Sequence, residues 1–138
     1  MSSLAHDLHV LVRALDRSAE ARLAPFGITY QRYLALVIID SADGLTQREL
    51  AAALGQTEAT ASRTSAALSG AGLVEVSRTP GSGNRRSLAL TAAGEDLLSR
   101  ASERLGSDFD SVVRETGQDP DLIAEHVRRL TAMIGGPP

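Results

Sequence analysis

The stretch from Leu45 to Thr91 leaves this chain few choices, because it holds two helix starts separated by a glycine turn and then a hairpin. Thr46, followed three residues later by Glu49, has the form of a capping box, in which each side chain can satisfy a free backbone N–H of the other's turn. Gly55 supplies the stop and Thr57 the next N-cap, so a third helix is predicted over roughly 47–54 and a fourth over roughly 58–70. In the fourth, Ala61, Ser65 and Leu68 share a face that should point inward. Thr60, Arg63 and Ala67 fall on the other face, flanked by Ala59 and Ser62. Alternating segments on either side of Thr79-Pro80-Gly81-Ser82-Gly83-Asn84 predict a β-hairpin, and Leu45 is placed as a short strand that can pair with it. The outgoing segment, Val74 to Thr79, reads as longer than such a hairpin is expected to have, and the returning one, Arg86 to Thr91, as about two residues shorter. Two capped helices around a glycine turn, followed by a hairpin, are the grammar of a winged helix-turn-helix.

The flanking segments are helical. Leu4, Leu8, Leu11, Val12 and Leu15 recur at spacings of three and four, predicting an amphipathic first helix from about Leu4 to Leu23 that Pro25-Phe26-Gly27 ends. Thr29 can cap a second helix carrying Tyr30, Tyr33, Leu34, Val37 and Ile38. After Thr91, the positions Leu97, Leu98, Ala101, Leu105, Phe109, Val112 and Val113 read as one long helix to about Glu115. Gly117 and Asp119-Pro120 break it, and Ile123, Val127, Leu130 and Ile134 stripe a last helix before a Gly-Gly-Pro-Pro tail expected to be unstructured. The expected fold is mainly α with a small β-hairpin: six helices and two to three short strands in a single domain, 1–138. Within it, residues 29–91 would be the winged helix-turn-helix lobe, and 1–28 and 92–138 dimerisation helices. Their stripes hold more apolar surface than one small winged module needs, and a second copy of the chain is the simplest cover.

Composition narrows the function. An apolar content of 43% in 138 residues is enough for a core. No run approaches the ~18 apolar residues of a membrane helix, and no basic segment followed by an apolar one opens the chain, so a cytoplasmic protein without membrane contact is expected. The absence of cysteine excludes disulfides, thiolate metal sites and thiol-based oxidant sensing. The net charge of -3 argues globally against nucleic acid, but the distribution reverses this. Between Thr46 and Thr91 five arginines (48, 63, 78, 85, 86) face three glutamates (49, 58, 75), a local +2 set against -5 elsewhere. An acidic scaffold therefore carries a basic head suited to a phosphate backbone.

Taken in order, Leu-Ala-Pro-Phe-Gly-Ile-Thr before the second helix, Leu45-Thr46-Gln47-Arg48-Glu49-Leu50-Ala51, Thr60-Ala61-Ser62-Arg63, Leu68-Ser69-Gly70-Ala71-Gly72-Leu73-Val74, the arginine-tipped hairpin and Leu90-Thr91-Ala92-Ala93-Gly94 resemble the MarR family of winged helix-turn-helix transcriptional regulators. The resemblance covers nearly the whole chain. It implies a triangular homodimer based on the first and last two helices, with the fourth helix in the major groove and the wing at the adjacent minor groove. It also implies a repressor released by a small aromatic or phenolic effector bound between dimer base and reading head; some members respond to metals or oxidants, and some activate. Asn84 stands where members usually carry an acidic residue before the wing arginine, so either Arg85 or Arg86 can be the one that enters the groove.

The DNA contacts expected on these grounds are Thr46, Gln47, Thr57, Ala59, Thr60, Ser62, Arg63, Arg78, Arg85 and Arg86. Small residues at the start of the fourth helix let it press into a groove about 12 Å wide, and hydroxyls at helix N-termini can bond phosphate while capping. The ordinary alternatives are a solvated hairpin tip for the wing arginines and an internal salt bridge for Arg63. His9, Arg13, Tyr30 and Tyr33 can line a pocket for an anionic aromatic ligand, although core packing explains the tyrosines as well. His6, His9 and His126, with Asp7 or Glu125, are a conceivable metal site, but exposed or partner-bonded histidines are commoner. No cofactor is expected. No nucleophile elbow, phosphate loop or distinctive carboxylate pair is present, so the chain reads as a non-enzyme. Beside a dimeric DNA-binding regulator on a palindromic operator stand two other readings: a winged-helix module that meets a protein partner through its acidic surface, and a metal-responsive regulator.

Overall fold

The computed structural model describes residues 1–78, 86–106 and 108–135. The chain forms two compact units, Met1–Leu105 and Gly106–Pro138.

In the first unit, α1 (Leu4–Leu23) starts at Ser3, whose hydroxyl accepts the His6 N–H, and runs into a short 3-10 turn, Ala24–Phe26. α2 (Tyr30–Ser41) is capped by the Thr29 hydroxyl, and the Glu20 carboxylate of α1 takes the Tyr30 N–H at 2.9 Å. Then come β1 (Leu45–Thr46), α3 (Gln47–Leu54), α4 (Glu58–Gly70), β2 (Val74–Arg78), β3 (Arg86–Leu90) and α5 (Ala92–Leu105). The three strands form one antiparallel sheet in the order β1-β3-β2, with Leu45 opposite Leu88 and Val76 opposite Leu88. Leu45 is thus the short strand expected from its position. β2 and β3 are equal in length, five residues each and paired throughout, rather than uneven; the turn segment 79–85 lies outside the described residues.

Leu23, Leu36, Ile39, Leu50, Leu68 and Leu88 are fully buried and join α1, α2, α3, α4 and the sheet into one core. Each such side chain contributes about 1.5–3 kcal/mol relative to exposure. α5 is fastened to the start of the wing at one place. Thr91 donates its N–H to the Leu73 carbonyl at 3.0 Å and its hydroxyl to the Gly72 carbonyl at 2.6 Å, while that hydroxyl accepts the Gly94 N–H at 3.0 Å. Gly94 sits so close that a Cβ on it would lie 2.0 Å from the Leu73 carbonyl oxygen.

The second unit holds α6 (Asp108–Glu115) and α7 (Pro120–Met133). The segment expected as one helix from Ala92 to about Glu115 is therefore divided: α5 ends at Leu105 and Gly106 turns with φ 53. Asp119 caps α7 by accepting the Asp121 N–H, with Pro120 in the first turn. Leu122, Ile123, Val127 and Leu130 of α7 and Phe109 and Val112 of α6 are all exposed. Residues 136–138, expected to be an unstructured tail, lie outside the described residues. No helix among the described residues is long and apolar enough to cross a membrane.

Candidate nucleic-acid interface

The helix pair α3–α4 is held by its own termini. The Thr46 hydroxyl accepts the Glu49 N–H at 3.2 Å and donates to the Glu49 carboxylate at 3.0 Å, so Glu49 reaches the cap's hydroxyl. Gly55 closes α3 in the left-handed region at φ 65, where a side chain would be strained, and its N–H turns back to the last turn of the helix. Two residues on, the Thr57 hydroxyl accepts the Thr60 N–H at 3.2 Å and donates to the Thr60 hydroxyl at 3.0 Å.

The inward face of α4 is the expected one: Ala61 and Ser65 are 0% exposed and Leu68 is 1% exposed. Ser65 is the one buried polar side chain of the core among the described residues, and it is satisfied. It donates to the Ser62 carbonyl at 3.0 Å and accepts from the Gln47 amide at 3.1 Å. Gln47 thereby ties the first turn of α3 to the middle of α4. Outward, Ala59, Arg63 and Ala66 form an exposed row at spacings of four and three, with Thr60, Ser62 and Ala67 half-buried on its shoulders. Ala66, rather than the Ala67 expected from the sequence, therefore completes this row. The Arg63 guanidinium lies back along the helix and donates to the Thr60 hydroxyl at 3.3 Å. It has no carboxylate partner among the described residues, so the salt-bridge alternative is not realised there. Arg48 instead pairs with Glu58 at 3.1 Å, an exposed bridge between the two helices worth at most about 1 kcal/mol.

On the wing, Arg78 and Arg86 are exposed and directly opposite each other across β2 and β3. Like charges facing across a ladder cost stability unless an anion sits between them. Asn84 and Arg85 lie outside the described residues.

The four expected ligand residues lie on α1 and α2. Tyr30 and Tyr33 stack with centroids 6.2 Å apart, and the Tyr33 hydroxyl meets Ser102 at 3.0 Å. Burial, then Asp16 and Tyr33, push the Tyr30 hydroxyl above its ordinary value, so it is neutral at physiological pH. His9 and Arg13 are exposed on α1, and the His9 Nδ1 is 2.7 Å from the Ala5 carbonyl. Of the four, Tyr33 lines a cleft of about 490 Å³ between α2 and α5, whose other walls include Val37, Asp40, Glu95 and Leu98. A second cleft of about 340 Å³ opens between the 3-10 turn, α2, the end of α4 and α5. Among the described residues no group of three His, Asp or Glu side chains is placed to hold a metal ion.

This arrangement defines a class, a winged helix-turn-helix flanked by long helices, and comparison with known proteins names it further. Residues 26–85 match the model of the MarR family. A cysteine-to-serine mutant of Escherichia coli MarR, in complex with operator DNA, superposes with a TM-score of 0.81 at 22% identity, over 94% of this chain and 92% of that one. A Mycobacterium tuberculosis MarR family protein in complex with salicylic acid gives 0.70 at 24% identity, over 96% and 97%. MepR, a transcription regulator of the Staphylococcus aureus multidrug efflux pump MepA, gives 0.71 at 21%, over 96% and 97%. A comparison with curated protein sequences gives no match. The match to the family model spans 26–85, and the chain has the fold of these MarR structures over nearly its whole length.

Proposed function

We propose that this protein is a homodimeric, sequence-specific DNA-binding transcriptional repressor that acts in the cytoplasm and is relieved by a small ligand. The observation that carries the proposal is the outward row of α4: two alanines and Arg63, the arginine held by a hydroxyl and free of any carboxylate partner among the described residues. Such a face can approach base edges closely and present one bidentate donor to a guanine. In this reading Ala59, Thr60, Ser62 and Arg63 meet the major groove, and Thr46 and Thr57 bond phosphate from their cap positions. Arg78, Arg85 and Arg86 serve the adjacent minor groove and backbone. Gln47, engaged with Ser65, contributes by fixing the angle between α3 and α4.

Lobe 29–91 is then the reading head, and 1–28 with 92–138 the dimerisation helices. The exposed apolar side chains Leu4, Val10, Leu11 and Val12 of α1, and those of α6 and α7, support a second copy as their cover. Two heads in one particle read a palindrome with the effective concentration of a linked pair. The salicylic acid complex of the mycobacterial protein supports an aromatic or phenolic effector. No catalytic role is assigned.

Two substitutions test the head. Arg63→Ala is expected to weaken binding to the cognate duplex by about 1–3 kcal/mol while changing affinity for unrelated duplex much less, measured by fluorescence anisotropy. Replacing Arg78 and Arg86 together by Ala is expected to weaken both duplexes about equally and to flatten the logarithmic salt dependence by about two contacts per head. Unchanged binding in both variants would remove α4 and the wing as the contact surface.

A further inference from the structure

The first turn of α4 carries a charge pair beside the outward row. Glu58 is the one acidic residue of α4, as Arg63 is the one basic residue. It follows the Thr57 cap and precedes Ala59, the first member of the row, and its side chain is 65% exposed. Helical side chains lean toward the N-terminus, and in a helix-turn-helix that is the end whose residues reach base edges. From the first turn of α3, the Arg48 Nε donates to the Glu58 Oε1 at 3.1 Å. The Glu58 Oε2 has no partner among the described residues. The same holds for the terminal nitrogens of Arg48, whose side chain is 87% exposed.

A free carboxylate oxygen at this end of a reading helix has few possible partners on a duplex. Phosphates repel it, and it has no hydrogen to give to guanine O6 and N7 or to thymine O4. The major groove offers it two amino groups. That of adenine lies beside N7, an acceptor that would face the carboxylate, whereas cytosine carries no acceptor beside its amino group there. Arg48 offsets the charge of Glu58 and keeps its terminal nitrogens for a phosphate.

We propose that Glu58 is a specificity-determining residue that accepts a hydrogen bond from the exocyclic amino group of a cytosine, with Arg48 linking it to a neighbouring phosphate. The proposal deepens the DNA-binding function and rests on it. Arg63 follows Glu58 by five residues, about 7.5 Å along the helix. The cytosine therefore lies within about three base pairs of the guanine that Arg63 meets, once in each half of a palindrome.

The test selects sites from randomised duplexes with the full chain, then measures anisotropy on duplexes carrying each of the four base pairs at the selected position. The parent is expected to enrich this cytosine and to bind the thymine duplex about tenfold or more weakly. Glu58→Ala should bind the four duplexes alike while the rest of the selected sequence is unchanged. Glu58→Gln, whose amide both donates and accepts, should move the preference to adenine. Arg48→Gln should weaken all four duplexes and flatten the salt dependence by about one contact per head. Glu75→Gln, the same loss of charge placed on β2, should leave the cytosine preference intact. Two results would overturn the proposal and leave DNA reading in place: a selected sequence that Glu58→Ala does not change, or a uniform rise in the affinity of Glu58→Ala for all four duplexes, as a carboxylate facing only phosphate would give. A parent that enriches no sequence would overturn both.

Discussion

Gly94→Ala is expected to be the most destabilising single substitution available outside the hydrophobic core, lowering unfolding free energy by about 3 kcal/mol or more in urea denaturation. The new methyl would lie 2.0 Å from the Leu73 carbonyl oxygen, 3.0 Å from its carbonyl carbon and 3.3 Å from its Cα. All three are backbone atoms, so no rotamer change can relieve the clash. The backbone itself must part, and the same Leu73 carbonyl accepts the Thr91 N–H, so the helix start and the wing entry lose their shared bond together. Against a total stability of about 5–15 kcal/mol this is a large fraction. A variant within about 0.5 kcal/mol of the parent would mean that α5 and the start of β2 are not packed as described.

Val127→Asp combined with Leu130→Asp on α7 is expected to give the largest functional effect. Both side chains are more than two-fifths exposed, at 44% and 47%, so carboxylates there cost little in the isolated chain. In a dimer held by this face they would be buried without partners, which costs several kcal/mol for each subunit. Sedimentation should find the parent dimeric and the variant monomeric with an unchanged circular dichroism spectrum. Operator affinity should fall by about a hundredfold or more as the two heads become separate binders. A variant that stays dimeric would place the dimer contact elsewhere.

The residues that were legible in the sequence are those whose structure is decided locally. Thr29, Thr46 and Thr57 each cap the helix expected of them, because a short hydroxyl side chain reaches an N–H only three residues ahead. The start of α1 and the inner face of α4 followed from helical spacing, and the end of α1 from Pro25-Phe26-Gly27. What escaped is non-local. Leu105, Phe109 and Val112 continue the helical spacing across Gly106, so periodicity joined α5 and α6 although the backbone turns between them. Gly94 looks like an ordinary helix residue until the Leu73 carbonyl is placed beside it. Gln47 reads as a surface amide, and only folding brings it to Ser65, eighteen positions away. The charge of a cleft is likewise invisible in order: Asp40 with Glu95, and Arg32 with Arg100, are brought together by the packing of α2 against α5.

Competition between two duplexes measures whether α4 and the wing read a DNA sequence. Anisotropy titrations with the DNA upstream of the protein's own coding region, and with a scrambled duplex of equal length and composition, at two salt concentrations, should separate the two by about a thousandfold or more at physiological salt. Both affinities should fall as salt rises. Equal affinity for the two duplexes at both salt concentrations would contradict sequence-specific recognition by this face.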